Sequence, residues 1–138
     1  MKLQIVVPNQ PAIENFERVE VRPNSIDLSH ISDNECTMIL ANDIVDSFSV
    51  DNIASIVTSL TKKVRMGGEI VVGGTDIRLF CKAVINGQMD EPRACQIVGA
   101  LQSMSNYAMV EQVLQQLKFQ ILSTQISGVH FEIKAKRV

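Results

Sequence analysis

The stretch that decides the fold is CTMILANDIVDSF, residues 36–48, followed by IVTSLTKKVRMGGEIVVGG, residues 56–74. The first opens with the uninterrupted apolar run Cys36–Ala41, which is typical of a strand in a sheet that is covered on both faces. The second carries apolar residues three and four positions apart and then the segment Glu69–Val72, which is apolar after its first residue. This pattern predicts an amphipathic helix and a second buried strand. Strand, helix and strand in this order predict a parallel pair joined by a helical crossover.

Two glycine pairs bracket the second strand, in GGEIVVGGTD at residues 67–76. Gly67-Gly68 follows the predicted helix, where a glycine in the left-handed conformation ends many helices. Gly73-Gly74 lies at the carboxyl end of a parallel strand, which is the edge at which open α/β sheets bind ligands. The pair has neither the spacing of a dinucleotide-binding motif nor the lysine of a phosphate loop. By itself it therefore identifies no ligand.

The flanking sequence completes an α/β pattern. Leu3–Val7 predicts a first strand, and Phe16–Arg22 alternates as an edge strand does. Val129–Ala135 alternates like an antiparallel strand with one wet face. Helices are predicted to begin near Ser49 or Asp51, Thr75 or Asp76, Pro92 and Ser105. The whole predicts one domain, residues 1–138, folded as a three-layer α/β sandwich with a mostly parallel, Rossmann-like sheet and a C-terminal antiparallel hairpin.

Composition and charge exclude several classes of function. Hydrophobic residues make up 46% of the 138 positions and the net charge is −2, so we expect neither disorder nor direct nucleic-acid binding. No apolar run reaches the roughly 20 residues of a membrane span, and no signal peptide is evident. We therefore expect a cytoplasmic protein without a membrane segment. Cys36, Cys81 and Cys95 are predicted to be reduced and buried, and their spacing predicts no metal site.

The two quoted stretches resemble the second half of class I S-adenosylmethionine-dependent methyltransferases. In that family the fourth strand ends at a short polar stretch before a VLEH-like segment, and an LKPGGxLxI turn leads into the fifth strand. Here NDIVD at residues 42–46 and RMGGEIV at residues 65–71 occupy these places. LQQLKFQILST and VHFEIKAKR are similar to the last helix and the terminal hairpin. The resemblance covers about residues 26–138 and is especially close to short methyltransferase-like proteins encoded by tailed phages.

The resemblance implies an S-adenosylmethionine site at the carboxyl edge of the sheet, without a metal. Glu20 takes the place of the ribose-binding carboxylate, and Asp27-Leu28 takes that of an Asp-Leu pair beside the adenine. Asn42 and Asp43 would lie at the mouth of the cleft. The implied cofactor-binding residues are Asn9, Glu20, Asp27, Leu28, Asn42 and Asp43.

The loop after the first strand reads Pro8-Asn9-Gln10-Pro11, where the family has a glycine-rich, LGCG-like motif. Glycines allow a close backbone approach to the cofactor, whereas proline fixes φ and removes an amide donor. Two hypotheses therefore stay open. In the first, the chain is a methyltransferase that acts on an unidentified acceptor. In the second, its activity is lost and it is a non-catalytic module that binds partners or forms a homo-oligomer.

Each candidate acid also has a structural interpretation. Glu20 suits a solvated position on an edge strand, and Asp27 can cap a turn through Ser29. Asp43 can cap the segment that follows it, and Asp76 fits a helix N-cap better than an acid–base group. No serine–histidine–acid order is evident. The sequence alone therefore identifies no catalytic residue.

Overall fold

The computed structural model describes residues 1–7 and 10–138. These residues form a six-stranded sheet with the order β2-β1-β3-β4-β6-β5. The strands are β1 (Lys2–Val6), β2 (Glu17–Glu20), β3 (Cys36–Ala41), β4 (Val64–Thr75), β5 (Phe119–Ser127) and β6 (His130–Arg137). The first four pair in parallel, and β6 is antiparallel to both β4 and β5. The predicted α/β class, with its mostly parallel Rossmann-like sheet and C-terminal antiparallel hairpin, is confirmed.

The described residues also form four α-helices. They are α1 (Ile53–Lys63), α2 (Ile77–Ile85), α3 (Glu91–Ala100) and α4 (Tyr107–Gln116), with short 3-10 turns at Ile44–Ser47 and Val50–Asn52. Asp76, Asp90 and Asn106 each accept a hydrogen bond from the backbone N–H three residues on, which satisfies a donor that the first turn leaves free. Asp76 is thus an N-cap as predicted, whereas the cap of α4 is Asn106 rather than Ser105. None of these helices is long and apolar enough to cross a membrane.

The boundary between α1 and β4 differs from the prediction. The helix ends at Lys63, and Val64 already pairs with Cys36 in the sheet. Gly67 does not end the helix, because it lies inside β4 with a φ of +78°, beside an irregularity in the β3–β4 register. Val64 lies four positions after Leu60, and this spacing also fits the apolar stripe of a helix. An extended, β-branched valine is equally able to enter the core, and Val64 is fully buried there.

One face of the sheet carries the main core. Ile39 lies opposite Ile70, which lies opposite Ala135, and all three are fully buried. Val57 of α1 and Leu114 of α4 join the same cluster. Burial of each large aliphatic side chain contributes about 1.5–3 kcal/mol. Because α2 and α3 supply no residue to this cluster, α1 and α4 are the helices that hold this face.

The opposite face of the sheet is more polar. Gln4, Leu40, Val71 and Lys134 follow one another across four strands in register. Leu40 is only half-buried, although its apolar run predicts cover on both faces. Lys134 pairs with Glu69 at 3.2 Å, and its aliphatic stem can cover apolar surface while its charge stays in water. A strand can therefore read as fully apolar and still face charged neighbours on one side.

Two of the three cysteines are exposed. Cys36 is buried in β3, but Cys81 and Cys95 lie on the exposed sides of α2 and α3, and all three are unpaired. The prediction of buried thiols is therefore wrong for these two, because α2 and α3 lie outside the main core. Burial raises the pKa of the Cys36 thiol.

Candidate functional site

The strand order reverses between β1 and β3. The chain adds β2 on one side of β1 and β3 on the other, so the carboxyl ends of β1 and β3 flank the crevice at which open α/β sheets bind ligands. A groove of about 290 Å³ lies at this position, lined by Gln4, Ile5, Val6, Gln10, Pro11, Ile13 and Asn42. Ligand pockets measure about 300–1,000 Å³, so this groove suits part of a ligand rather than a whole cofactor.

Gln4 ties residues 10–13 onto β1. Its Nε2 donates to the Pro11 carbonyl at 3.2 Å, and its Oε1 accepts from the Ile13 N–H at 3.2 Å. Gln4 is buried, and a buried amide is tolerated when its donor and its acceptor are both satisfied. The segment therefore lies across β1 on the face opposite the main core.

Asp43 connects the segment after β1 with the start of β6 at the carboxyl edge of the parallel strands. Its Oδ1 lies 2.8 Å from His130 Nε2, and its Oδ2 accepts from Gln10 Nε2 at 3.1 Å. Beside it, Asn42 Nδ2 donates to Glu132 Oε1 at 2.8 Å. The hydrogen bond from His130 lowers the pKa of Asp43 despite its partial burial. The same bond raises the pKa of His130.

His130 is not among the site residues that the sequence predicts. It lies 87 positions from Asp43, and the two meet because β4 and β6 pair antiparallel with Thr75 opposite His130. The signal available in the sequence was a histidine at the start of the alternating strand VHFEIKA. Only the register of the final strand could turn that signal into a contact.

The glycine pair Gly73-Gly74 lies within β4 rather than in a ligand loop. A Cβ on Gly73 would come 2.2 Å from the Asn42 carbonyl oxygen and 2.6 Å from that of Phe131. A Cβ on Gly74 would come 2.5 Å from the Val45 Cβ. The pair therefore lets the connection after β3 approach β4 closely, which positions Asn42 and its neighbour.

Two further acids at this edge, Asp46 and Asp76, accept hydrogen bonds from backbone N–H groups. Asp46 accepts hydrogen bonds from the Thr75 N–H at 2.7 Å and from its hydroxyl at 3.2 Å, and burial raises the pKa of Asp46. Asp76 is fully buried and accepts from the N–H groups of Leu79 at 2.9 Å and Tyr107 at 3.0 Å. Asp76 therefore joins the starts of α2 and α4 to the end of β4.

Glu20 and Asp27 share a second cavity, of about 440 Å³, which is also lined by Arg22, Ser25 and Ile26. Glu20 ends β2 opposite Val6, and its side chain is 59% exposed, with the Arg18 guanidinium 3.7 Å away. Asp27 Oδ1 accepts from the N–H and the hydroxyl of Ser29 at 3.0 and 2.6 Å. These hydrogen bonds lower the pKa of Asp27, so it caps the turn and also lines the cavity.

The structure thus brings the predicted cofactor contacts together as two pairs. Glu20 and Asp27 share one cavity, whereas Asn42 and Asp43 lie side by side beyond β3. Leu28 is buried within the main core. Asn9 lies outside the described residues, and the binding roles of all six stay predictions. Among residues 1–7 and 10–138, no group of three or more histidine, cysteine or acidic side chains is placed to hold a metal ion.

No protein-family model matches the sequence, and no curated protein matches it. Solved structures do match. A methyltransferase from Archaeoglobus fulgidus that depends on S-adenosylmethionine gives a TM-score of 0.60 at 12% identity over 89% of this chain and 68% of its own. A second such enzyme, from Methanosarcina mazei, gives a TM-score of 0.57 at 12% identity, and the match covers 94% of this chain and 71% of that enzyme.

The 1,6-didemethyltoxoflavin-N1-methyltransferase of Burkholderia thailandensis, solved with 1,6-didemethyltoxoflavin and S-adenosylhomocysteine, gives a TM-score of 0.52 at 13% identity. The match covers 78% of this chain and 46% of that enzyme, so this chain spans less than half of its length. At these identities the likeness is one of fold. The fold is that of S-adenosylmethionine-dependent methyltransferases.

Proposed function

We propose that this chain is a single-domain methyltransferase that binds S-adenosylmethionine and methylates a small acceptor. The observation that carries the proposal is that Glu20 and Asp27 line one cavity at the carboxyl end of β2, the strand next to β1. Their roles as ribose and adenine contacts are implied separately by the sequence resemblance. The solved proteins of similar fold named above are methyltransferases of this cofactor class, which supports the choice of ligand.

The described residues suit the nucleoside end of the cofactor. The exposed Glu20 carboxylate can accept from two ribose hydroxyls, and Ile26 adds an apolar wall for a base. The ion pair of Glu20 with Arg18 spans 3.7 Å in solvent and is worth only about 0–1 kcal/mol. It therefore does not prevent Glu20 from binding a ligand.

The methionine end of S-adenosylmethionine would lie at the carboxyl edge of the sheet, where Asp43 already makes hydrogen bonds. Asp43 is the acid able to pair with the ammonium group, but its Oδ2 already accepts from Gln10. A ligand would displace that amide, so part of the binding energy is lost. We expect a dissociation constant between about 1 μM and 1 mM, or about −8 to −4 kcal/mol.

When bound, S-adenosylmethionine supplies a methyl group on a positively charged sulfur. The chain's own residues would hold the acceptor in line with that methyl group and exclude water from it. In-line placement and a fixed polar environment account for much of such catalysis. The polar residues at the carboxyl edge, Asn42 and Asp43, lie where this placement would occur.

Calorimetric titration with S-adenosylhomocysteine tests the proposal. Each of Glu20→Gln and Asp27→Asn should weaken binding about tenfold, because each removes a charged acceptor of a hydrogen bond from the ligand. Asp51→Asn changes an exposed acid outside both cavities and is the matched control. Absence of heat from the wild-type protein at millimolar ligand would contradict the proposal.

One observation favours self-association as a second candidate function. Strand β5 lies at the sheet edge and reads FQILSTQIS, without a charge, and Leu122 and Ile126 are 43% and 49% exposed. Edge strands expose unpaired backbone groups and are usually protected by charge. An uncharged strand can pair antiparallel with its own copy without opposing like charges.

Sedimentation velocity tests this second candidate. Leu122→Lys should dissociate a dimer, whereas Val98→Lys, at an exposed position of α3, should not. A wild-type protein that stays monomeric at hundreds of micromolar would rule the candidate out.

The cytoplasmic location and the phage origin also belong to the proposal. Cys81 and Cys95 are exposed and unpaired, and such thiols persist in the reducing cytosol. The phage origin rests on the sequence resemblance alone.

A further inference from the structure

A second groove, of about 410 Å³ and separate from the cavity that Glu20 and Asp27 share, lies where β5 ends and β6 begins. It is lined by Gln125, Ile126, Ser127, His130 and Glu132. None of these residues belongs to the predicted cofactor contacts. The groove is open and within the size range of small-molecule sites.

Two hydrogen-bonded links join the two grooves. In one, Asp43 bonds to Gln10 in the first groove and to His130 in the second. In the other, Asn42 of the first groove bonds to Glu132 of the second. Each groove is therefore lined by a residue that hydrogen-bonds to Asp43, Gln10 in the first and His130 in the second. This arrangement suits a reaction between two bound molecules.

The ring of His130 is oriented by Asp43. Because Nε2 faces a carboxylate oxygen at 2.8 Å, we assign the ring proton to Nε2, which leaves the lone pair on Nδ1. Nδ1 makes no hydrogen bond with a residue in the described part of the chain, and the side chain is 31% exposed. A histidine that is held by an acid at one nitrogen and lines a groove, with no protein partner among the described residues at the other nitrogen, has the geometry of a general base.

We propose that the second groove is the acceptor site and that His130 is the catalytic base, with Asp43 as its positioning residue. This inference rests on the proposed function. The N–H bond of the acceptor breaks and its proton passes to Nδ1 of His130. The nitrogen lone pair forms a bond to the methyl carbon, and the electron pair of the broken carbon–sulfur bond stays on sulfur. The cationic donor becomes a neutral thioether and the neutral His130 becomes an imidazolium cation, so charge and atoms balance.

The charges around His130 select an amine as the acceptor. Its charged neighbours are acidic: Asp43 after β3, Asp46 in the 3-10 turn and Glu132 on β6. The wall from β5 carries Gln125 and Ser127, which are uncharged. Carboxylate and phosphate acceptors would be repelled by this set, whereas an ammonium group would be attracted and could then be deprotonated.

The pH dependence follows from the pair. The hydrogen bond to Asp43 raises the pKa of His130, partly opposed by its burial. A base must be unprotonated, so methyl transfer should rise with pH through a midpoint above about 6.5, the ordinary histidine value. Asp43→Asn removes the carboxylate and should move that midpoint to lower pH.

Carbon-detected NMR of the histidine rings tests the site without requiring turnover. Phenethylamine is the cationic probe, and phenylacetate is the anionic control of similar size. The ring of the exposed His30 is the internal reference. Phenethylamine at millimolar concentration should shift the His130 ring signals and leave those of His30 unchanged, and Glu132→Gln should weaken this binding at least fivefold. Phenylacetate should have no effect. Equal responses to both probes, or none at His130, would overturn the acceptor site.

A rate measurement tests the base itself. With S-adenosylmethionine and phenethylamine, His130→Gln should lose at least about 100-fold in rate, the lower range for general-base catalysis, and still bind S-adenosylhomocysteine. A loss below tenfold, or an Asp43→Asn profile with an unchanged midpoint, would overturn the role of the pair. If phenethylamine shifts the His130 signals but calorimetry detects no binding of S-adenosylhomocysteine, the cofactor proposal alone is contradicted. If calorimetry detects binding of S-adenosylhomocysteine but phenethylamine leaves the His130 signals unchanged, the acceptor-site inference alone is contradicted.

Discussion

The two halves of the sheet are held together in different ways. On one side, β4 pairs with β6 along Glu69–Thr75 and is backed by α1 and α4. On the other, the four-residue β2 lies at the edge of the sheet and pairs with β1, and Gln4 holds the connecting segment by two side-chain hydrogen bonds. The proposed nucleoside contacts lie on the second, thinner half, and the proposed catalytic pair lies on the first. Stability and ligand binding should therefore respond to different substitutions.

The largest effect is expected where β4 meets the connection after β3. Gly73→Ala places a Cβ 2.2 Å from a backbone oxygen, which only a backbone shift can relieve, so we expect a loss of about 3 kcal/mol in the free energy of unfolding. Gly99→Ala is the control, because a Cβ there meets nothing within 4 Å. In a helix it should stabilise by about 0.5–1 kcal/mol. Urea unfolding that gave both variants the same stability would remove the packing argument.

A comparison of two N-caps should give the next largest effect. Asp76→Ala leaves two backbone N–H groups, those of Leu79 and Tyr107, without their acceptor at a fully buried site, and should cost about 3 kcal/mol. Asp90→Ala removes one exposed cap and should cost about 1 kcal/mol. Thermal unfolding of the two variants measures the difference. Equal losses would show that Asp76 does no more than cap α2.

Gln4→Leu should loosen the thinner half without disturbing the thicker one. It removes both hydrogen bonds to residues 10–13, at a cost of about 1–2 kcal/mol. Hydrogen exchange should accelerate at Ile13 and stay unchanged along β4 and β6. Faster exchange throughout the sheet would mean that the two halves form one cooperative unit.

The smallest effect concerns the pair of His130 and Asp43. The raised pKa of His130 adds stability that is fully present below about pH 6.5 and is lost as pH rises through the folded value. The lowered pKa of Asp43 adds stability that is present above about pH 4 and is lost on acidification. The stability difference between wild type and His130→Gln should peak between these limits and stay below about 1 kcal/mol. A difference that grew toward pH 9 would contradict the pairing.

The strands of the thicker half could be predicted from local sequence. An uninterrupted apolar run places β3, the run Glu69–Val72 places the centre of β4, and alternation places β6. The glycine pairs do not mark the ends of β4, because both lie inside it. The boundary at Val64 could not be predicted, because its side chain suits a helical stripe and a strand equally well. Nor could the exposure of Cys81 and Cys95, since local apolarity does not reveal that α2 and α3 lie outside the core.

The candidate site divides in the same way. Glu20 and Asp27 could be proposed because each follows a recognisable strand or turn in the resembling family. His130 could not, because its contact with Asp43 depends on a pairing between distant strands. Side chains that meet through strand register leave no local spacing to read.

Backbone amide NMR during titration with S-adenosylhomocysteine joins the two halves in one experiment. The expected result is a saturable set of shifts at Glu20 and Asp27 together with Asn42 and Asp43, while the exposed edge of β5 stays unchanged. Shifts confined to β5, or no shifts at millimolar ligand, would contradict a cofactor site between the two halves of the sheet.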